Sequence, residues 1–209
     1  MLIKFDILVR KYNLKKKIKG ILHIGAHECE EKKDYDKFNI TNVYWVEAMK
    51  DKVDLIKEKY GQDFNIYQGV VSDKDGEEVI FKIANNGQSS SILDFGTHSK
   101  NHPTVYYVGE EKHITKTLGT LIGEEKINMG NVNFLNLDIQ GVELKALKGM
   151  EEYLNTVDYI YTEVNTDYVY VDCCLMSELD EYLGGFGFKR VETSMCGNTG
   201  WGDAFYIKS

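Results

Sequence analysis

Four short apolar runs in this chain each stop on a glycine or an acid. Ile21–Ile24 ends on Gly25, Val43–Val46 on Glu47, Val132–Leu137 on Asp138 and Val157–Thr162 on Glu163. Runs this short, bounded by polar residues and free of polar alternation, read as strands buried on both faces of a sheet. Amphipathic stretches fall between them. Val53, Ile56 and Tyr60 recur at helical spacing, as do Leu144, Leu147, Met150 and Leu154, and later Leu175, Leu179 and Leu183. Strands alternating with helices predict an α/β fold, a mostly parallel sheet with helices packed on its faces.

The remaining segments fit the same plan. Phe5, Leu8 and Tyr12 predict a helix within about residues 1–19, and a second helix is expected from about Glu28 to Phe38. Further strands are expected over Phe64–Val71, Glu78–Ile83 and Val105–Ile114, with a turn at Asp73–Gly76 and a short helix at Leu118–Ile122. Phe188–Thr193 and Ala204–Ile207 read as a closing pair of strands. Residues 85–104 are polar and turn-rich, and a loop of that length inside a compact domain is commonly functional.

A chain of 209 residues suits one domain spanning 1–209 with a core that needs no metal or disulfide to hold it. The net charge of −8 repels a phosphate backbone, so nucleic acid is not expected as a partner. The basic stretch around Lys15, Lys16 and Lys17 reads as a solvated helix end. The four cysteines, Cys29, Cys173, Cys174 and Cys196, show neither zinc spacing nor a Cys-x-x-Cys pair. With no leader-like start and no long apolar run, the expected setting is reducing and cytoplasmic, away from membranes.

Ligands of open α/β sheets bind beyond the carboxyl ends of the strands, which is where the punctuating residues fall. Gly25 permits close approach of a ligand to the backbone, and a helix start after it would offer free N–H groups. Position 27 is His and position 29 is Cys, so the turn is not Gly-x-Gly-x-x-Gly, which counts against a nicotinamide-dependent oxidoreductase. Glu47 follows at the spacing of an acid that accepts hydrogen bonds from both ribose hydroxyls. Asp138 and Glu163, ending adjacent strands, face one crevice. They could divide into a base and an orienting group, or hold a divalent cation together with Asn165. Glu143 follows Gly141 in the first turn of a helix, where an acid also complements the helix dipole.

Taken together, HIGAHECEE, VYWVEA, the SSS of the polar loop, FLNLDIQGVELKALKGM, YTEVN and WGDAFYIK resemble the FkbM family of S-adenosylmethionine-dependent methyltransferases, from about Ile21 to Ile207. The resemblance implies a Rossmann-like class I methyltransferase fold, with a mostly parallel seven-stranded sheet and helices on both faces. It implies O-methylation of a sugar or glycan hydroxyl, or of another small natural product. By the same resemblance Gly25, Ala26 and Glu47 bind S-adenosylmethionine, Ser72 and Asp73 serve the adenine region, and Asp138 lies beside the sulfonium and the acceptor. Three positions depart from the family pattern: His23 replaces an acid, Cys29 a glycine, and Gln140 the middle acid of Asp-x-Glu-Gly-x-Glu. These changes keep open a non-catalytic binding module on the same fold.

For catalysis, Asp138 is the first candidate base or metal ligand and His27 the second, since imidazole titrates near neutrality. His98, His102 and His113 are weaker candidates. Ser89, Ser90 and Ser91, in the expected acceptor-side lid, and Glu143 are expected to bind acceptor hydroxyls. Tyr168 and Tyr170 could stack on a sugar ring, while Tyr159 and Tyr161 read as strand packing.

Overall fold

The computed structural model describes all 209 residues. In chain order, α1 (Phe5–Lys11), β1 (Ile21–Ile24), α2 (Lys32–Lys37), β2 (Val43–Glu47), α3 (Lys50–Tyr60) and β3 (Ile66–Gln68) form the first part. Then come β4 (Glu78–Ala84), α4 (His98–Asn101), β5 (Tyr107–Ile114) and α5 (Leu118–Glu124). The last part is β6 (Phe134–Leu137), α6 (Glu143–Lys148), β7 (Tyr159–Asn165), α7 (Met176–Gly184), β8 (Phe188–Met195) and β9 (Trp201–Lys208).

Seven strands form one sheet in the order β3-β2-β1-β6-β7-β9-β8. All pairings are parallel except those of β9, which runs antiparallel to both β7 and β8. Sequence order reverses between β1 and β6, so the ends of β1, β2, β6 and β7 open on the switch point where α/β sheets bind ligands. β4 and β5 form a separate antiparallel hairpin with a register shift at Ile83/Ala84.

Period-two side chains explain the layers. Leu22, Ile24, Leu135, Leu137 and Ile160 face one side and pack on α5, α6 and α7 through Leu121, Leu147 and Leu179. Ile21, Trp45, Phe134, Tyr159 and Phe205 face the other side and pack on α1, α2 and α3 through Leu8, Tyr35 and Ile56. Helices therefore cover both faces, and every residue of β1, β6 and β7 is buried. Tyr159 and Tyr161 are strand packing, as expected. No helix is long and apolar enough to cross a membrane.

Several boundaries differ from the periodicity reading. The helix expected from Glu28 begins at Lys32, because His27 (φ 44°) and Cys29 (φ 55°) take the left-handed conformation, which a right-handed helix cannot include. The first helix is also short, ending at Lys11. The strand expected over Phe64–Val71 pairs only over Ile66–Gln68, and Val71 instead forms a bridge with Lys116. The stripe Leu144–Leu154 divides into α6 and a 3-10 helix, Glu151–Thr156, at Gly149. A β-carbon at Gly149 would lie 2.5 Å from the Ser72 carbonyl oxygen, so the backbones pass too closely there for any other residue.

Leu135 is fully buried in the sheet centre. Its replacement by Ala is expected to lower unfolding free energy by about 2–5 kcal/mol. Ile114→Ala, at a side chain 58% exposed, should change it by less than about 0.5 kcal/mol. Paired urea denaturation curves check both.

Candidate active site

The ends of β1, β2, β6 and β7 open into a cavity of about 530 Å³, inside the roughly 300–1,000 Å³ range of small-molecule sites. Gly25 (φ 86°) forms its floor, and a β-carbon there would lie 1.8 Å from the Asp138 carbonyl oxygen. The neighbouring strand end therefore leaves room for glycine alone. Gly25 and Ala26 each donate a backbone hydrogen bond to the Val46 carbonyl, at 2.9 and 3.0 Å. Gly25 faces the cavity, whereas Ala26 is buried behind the wall.

Glu47 ends β2 with its side chain in the cavity wall. Its carboxylate accepts hydrogen bonds from the His27 backbone N–H at 2.6 Å and the Met49 N–H at 2.9 Å. Burial raises its pKa, and those N–H groups act in the opposite direction by stabilising the anion. The left-handed His27 turn thus presents its amide to Glu47, in place of the helix start expected after Gly25. Gly69, Val70 and Val71 continue this wall. Ser72 and Asp73, expected near the adenine region, lie behind it; the Ser72 hydroxyl bonds Asp73 at 3.1 Å.

His27 lines the cavity. Its Nδ1 pairs with Glu30 at 2.9 Å, a contact that raises the imidazole pKa and pulls Glu30 down to about 2. Its Nε2 is buried without a hydrogen-bond partner. His23, in the strand position the family gives to an acid, is buried and stacked on Trp45 at 4.7 Å. Its Nδ1 lies 3.1 Å from the Tyr35 hydroxyl, and burial depresses its pKa to about 3, so it is a neutral imidazole.

Opposite Glu47 stand the acids of β6 and β7. Asp138 is exposed to the cavity, while Glu163 is 4% exposed. The Gln140 amide nitrogen donates to both, at 2.7 Å each, and its carbonyl accepts from the Tyr170 hydroxyl at 2.5 Å. Burial, then the charge of Asp138, raises the Glu163 pKa well above the usual carboxylate range. Glu163 is thereby driven toward its protonated form, and the Gln140 amide links it to Asp138. Gln140 was legible in the sequence only as a departure from the family pattern; its role as a bridge is a structural finding.

A divalent cation does not fit this arrangement. An amide N–H group stands between Asp138 and Glu163, where a cation would need acceptor oxygens, and no three His, Cys, Asp or Glu side chains converge as a ligand set. Asn165 is fully buried, with both amide atoms lacking partners, and lies outside the cavity wall.

Two acceptor-side expectations are also corrected. Glu143 is 0% exposed; its carboxylate accepts from the Ile139 and Gly141 backbone N–H groups at 3.0 and 3.1 Å. It braces the β6–α6 turn, where Gln140 (φ 57°) and Gly141 (φ 101°) are both left-handed, and no ligand reaches it. Ser89, Ser90 and Ser91 do line the cavity, but their hydroxyls are engaged within the protein. Ser90 bonds the Gly87 carbonyl at 2.7 Å, Ser91 the Gln140 carbonyl at 2.8 Å, and Ser89 accepts from Asn86 at 2.9 Å. They fix the 85–104 segment as a wall, tied to β4 by a Lys82–Ser91 bridge. Tyr170 and His98 line the same cavity, with His102 and Trp201, whereas Tyr168 is 53% exposed outside it and His113 pairs with Glu111 on β5.

The sheet order with its antiparallel β9, and the position of the cavity, are those of the class I S-adenosylmethionine-dependent methyltransferases. The solved structures agree. Magnesium protoporphyrin IX methyltransferase from Synechocystis PCC 6803 with bound SAM superposes with a TM-score of 0.52 at 10% identity, over 98% of this chain and 77% of that one. The same enzyme with bound SAH gives 0.52 at 9% identity, over 98% and 81%. An S-adenosylmethionine-dependent methyltransferase from Clostridium acetobutylicum ATCC 824 gives 0.50 at 6% identity, over 98% and 90%. At these identities the likeness is one of fold. No curated protein sequence matches the chain significantly. The profile of the methyltransferase FkbM domain matches residues 23–190. The chain belongs to the FkbM methyltransferase family.

Because Glu143 is buried with its pKa raised, chiefly by burial, folding favours its protonated form. Its contribution is therefore most favourable at or below the ordinary glutamate range near 4.5, and stability is lost as pH rises from there. Glu143→Gln removes the titration. The variant's urea midpoint minus that of the parent chain should increase between acidic and neutral pH, which parallel denaturation series at several pH values measure.

Proposed function

We propose that this methyltransferase transfers the methyl group of S-adenosylmethionine to a hydroxyl oxygen of a sugar or glycan. The supporting observation is one cavity that holds the Gly25–Glu47 cradle on one side and the Asp138–Gln140–Glu163 assembly on the other. The cradle fits the cofactor. Gly25 leaves a space that a β-carbon would fill, and Glu47 is a buried carboxylate held in position for a ribose diol. The cofactor, when bound, supplies a methyl group on a sulfonium that leaves as a neutral thioether.

The protein's part is alignment and proton removal. Asp138 accepts the acceptor hydroxyl proton as the oxygen–carbon bond forms and the sulfur–carbon bond breaks. The Gln140 amide holds the Asp138 carboxylate in place with a donated hydrogen bond and ties it to Glu163. Tyr170 fixes the orientation of the Gln140 amide. The cysteines are all free thiols, consistent with action in a reducing cytoplasm.

Two measurements test this reading. Calorimetry with S-adenosylhomocysteine should show binding, and Glu47→Gln should weaken it by about 10- to 100-fold, as expected for lost hydrogen bonds to a charged group. Normal affinity in that variant would remove Glu47 from the cofactor site. Mass spectrometry of glycans and metabolites incubated with methyl-labelled cofactor should reveal an O-methyl product. Asp138→Asn should slow its formation about 10²- to 10⁴-fold while leaving cofactor affinity nearly intact. Unchanged turnover would rule out Asp138 as the base.

A further inference from the structure

No lysine or arginine lines the cavity, while Glu30, Glu31, Glu47, Asp138, Glu163 and Asp203 all do. An anion entering it would give up hydration, and the wall groups able to carry positive charge, the Met1 amino group and His27, are already paired with Glu31 and Glu30. The charge pattern therefore disfavours an anionic acceptor.

The wall away from Glu47 is aromatic. Phe95 is sandwiched between His98 and Tyr107, with ring centroids at 4.3 and 4.1 Å and interplanar angles of 11° and 14°. The stack immobilises the His98 ring, which is 6% exposed, yet its Nδ1 has no hydrogen-bond partner. A buried imidazole nitrogen left unsatisfied costs free energy that a ligand hydroxyl can recover. Burial, reinforced by His102, depresses the His98 pKa to about 4, so the ring is neutral and suited to a hydroxyl rather than an anion. Trp201 is half-buried beside it, its indole N–H directed to His102 Nε2 at 3.4 Å. His98 lies 5.5 Å from the Tyr170 ring, and the Tyr170 hydroxyl leads through Gln140 to Asp138. The aromatic wall and the base thus share one side of the cavity.

We propose that His98 and Trp201 form the acceptor subsite, and that it takes an uncharged, hydroxyl-bearing ring such as a neutral glycoside and rejects phosphorylated analogues. His98 Nδ1 hydrogen-bonds a ring hydroxyl, and Trp201 covers an apolar ring face. This rests on the methyl-donor reading above, so the test measures the two separately.

The protein is saturated with S-adenosylhomocysteine and titrated calorimetrically with methyl glycosides of a neutral hexose, a deoxyhexose and a pentose. The same hexose as its 6-phosphate serves as the comparison. At least one neutral glycoside should bind, with the phosphate at least about tenfold weaker. His98→Ala and Trp201→Ala should each weaken that glycoside by about tenfold, His98→Asn should recover part of the loss, and all three should retain parental affinity for S-adenosylhomocysteine. Retained cofactor-product affinity shows that the variants are folded. Equal or tighter binding of the phosphate, no binding of any neutral glycoside, or variants that bind the glycoside like the parent would each overturn the subsite. Failure of the parent chain to bind S-adenosylhomocysteine would instead remove the donor reading, and this proposal with it.

Discussion

The approach of Gly25 to the Asp138 carbonyl oxygen is the contact on which the site depends. Because a β-carbon would stand 1.8 Å from that oxygen, β1 and β6 leave the sheet side by side with nothing between their turns. The β1 turn is then free to rise in a left-handed path through His27 and Cys29, which delivers the His27 amide to Glu47. The β6 turn rises in a second left-handed path through Gln140 and Gly141, which aims the Gln140 side chain at Asp138 and Glu163. One glycine thereby separates the Glu47 side from the Asp138 side while keeping them within one cavity. Residues held in such sparsely populated conformations persist only where surrounding contacts impose them. Here those contacts are the Glu47 carboxylate on one turn and the Glu143 carboxylate on the other.

That symmetry explains why two acids of similar appearance in the sequence act so differently. Glu47 and Glu143 both receive backbone N–H groups from a left-handed turn, but only Glu47 opens onto the cavity. The central strands were legible because parallel strands buried on both faces read as unbroken apolar runs, and their terminal acids fall where such sheets bind ligands. Gly25, Glu47, Asp138 and Glu163 were found in this way, and all four reach one cavity. What periodicity could not supply was the hydrogen-bond economy of the loops. Ser90 and Ser91 look like sugar-binding hydroxyls until their partners are seen to be Gly87 and Gln140 carbonyls. The pairing of His27 with Glu30, three residues on, was likewise not legible.

Residues brought in from distant strands and loops were less legible still. Trp201 begins an antiparallel edge-directed strand, and His98 sits on a four-residue helix within a polar stretch. Neither carries a local signal for a ligand wall, because that role arises only when the 85–104 segment folds across the strand ends. The Phe95–Tyr170 bridge and ring contact make that closure, joining residues far apart in the chain.

The same packing settles how crowded carboxyl groups can share one crevice. Burial, and with it the charge of Asp138, raises the pKa of Glu143, Glu163 and Asp203, and so many anions in a low-dielectric space would repel strongly. Burial resolves the conflict by assigning protons. Glu163 and Glu143 are driven toward their neutral forms, while Asp138, open to the cavity, is the charge to which they respond. This is the division expected of two carboxyl groups with different tasks, one to receive a proton and one to hold it. Gln140 completes the division at no charge, for its amide donates to both acids where a third carboxylate would add repulsion or demand a cation. The substitution that departs from the family pattern therefore leaves one carboxylate open to the cavity, held by an uncharged amide beside the neutral wall of His98 and Trp201.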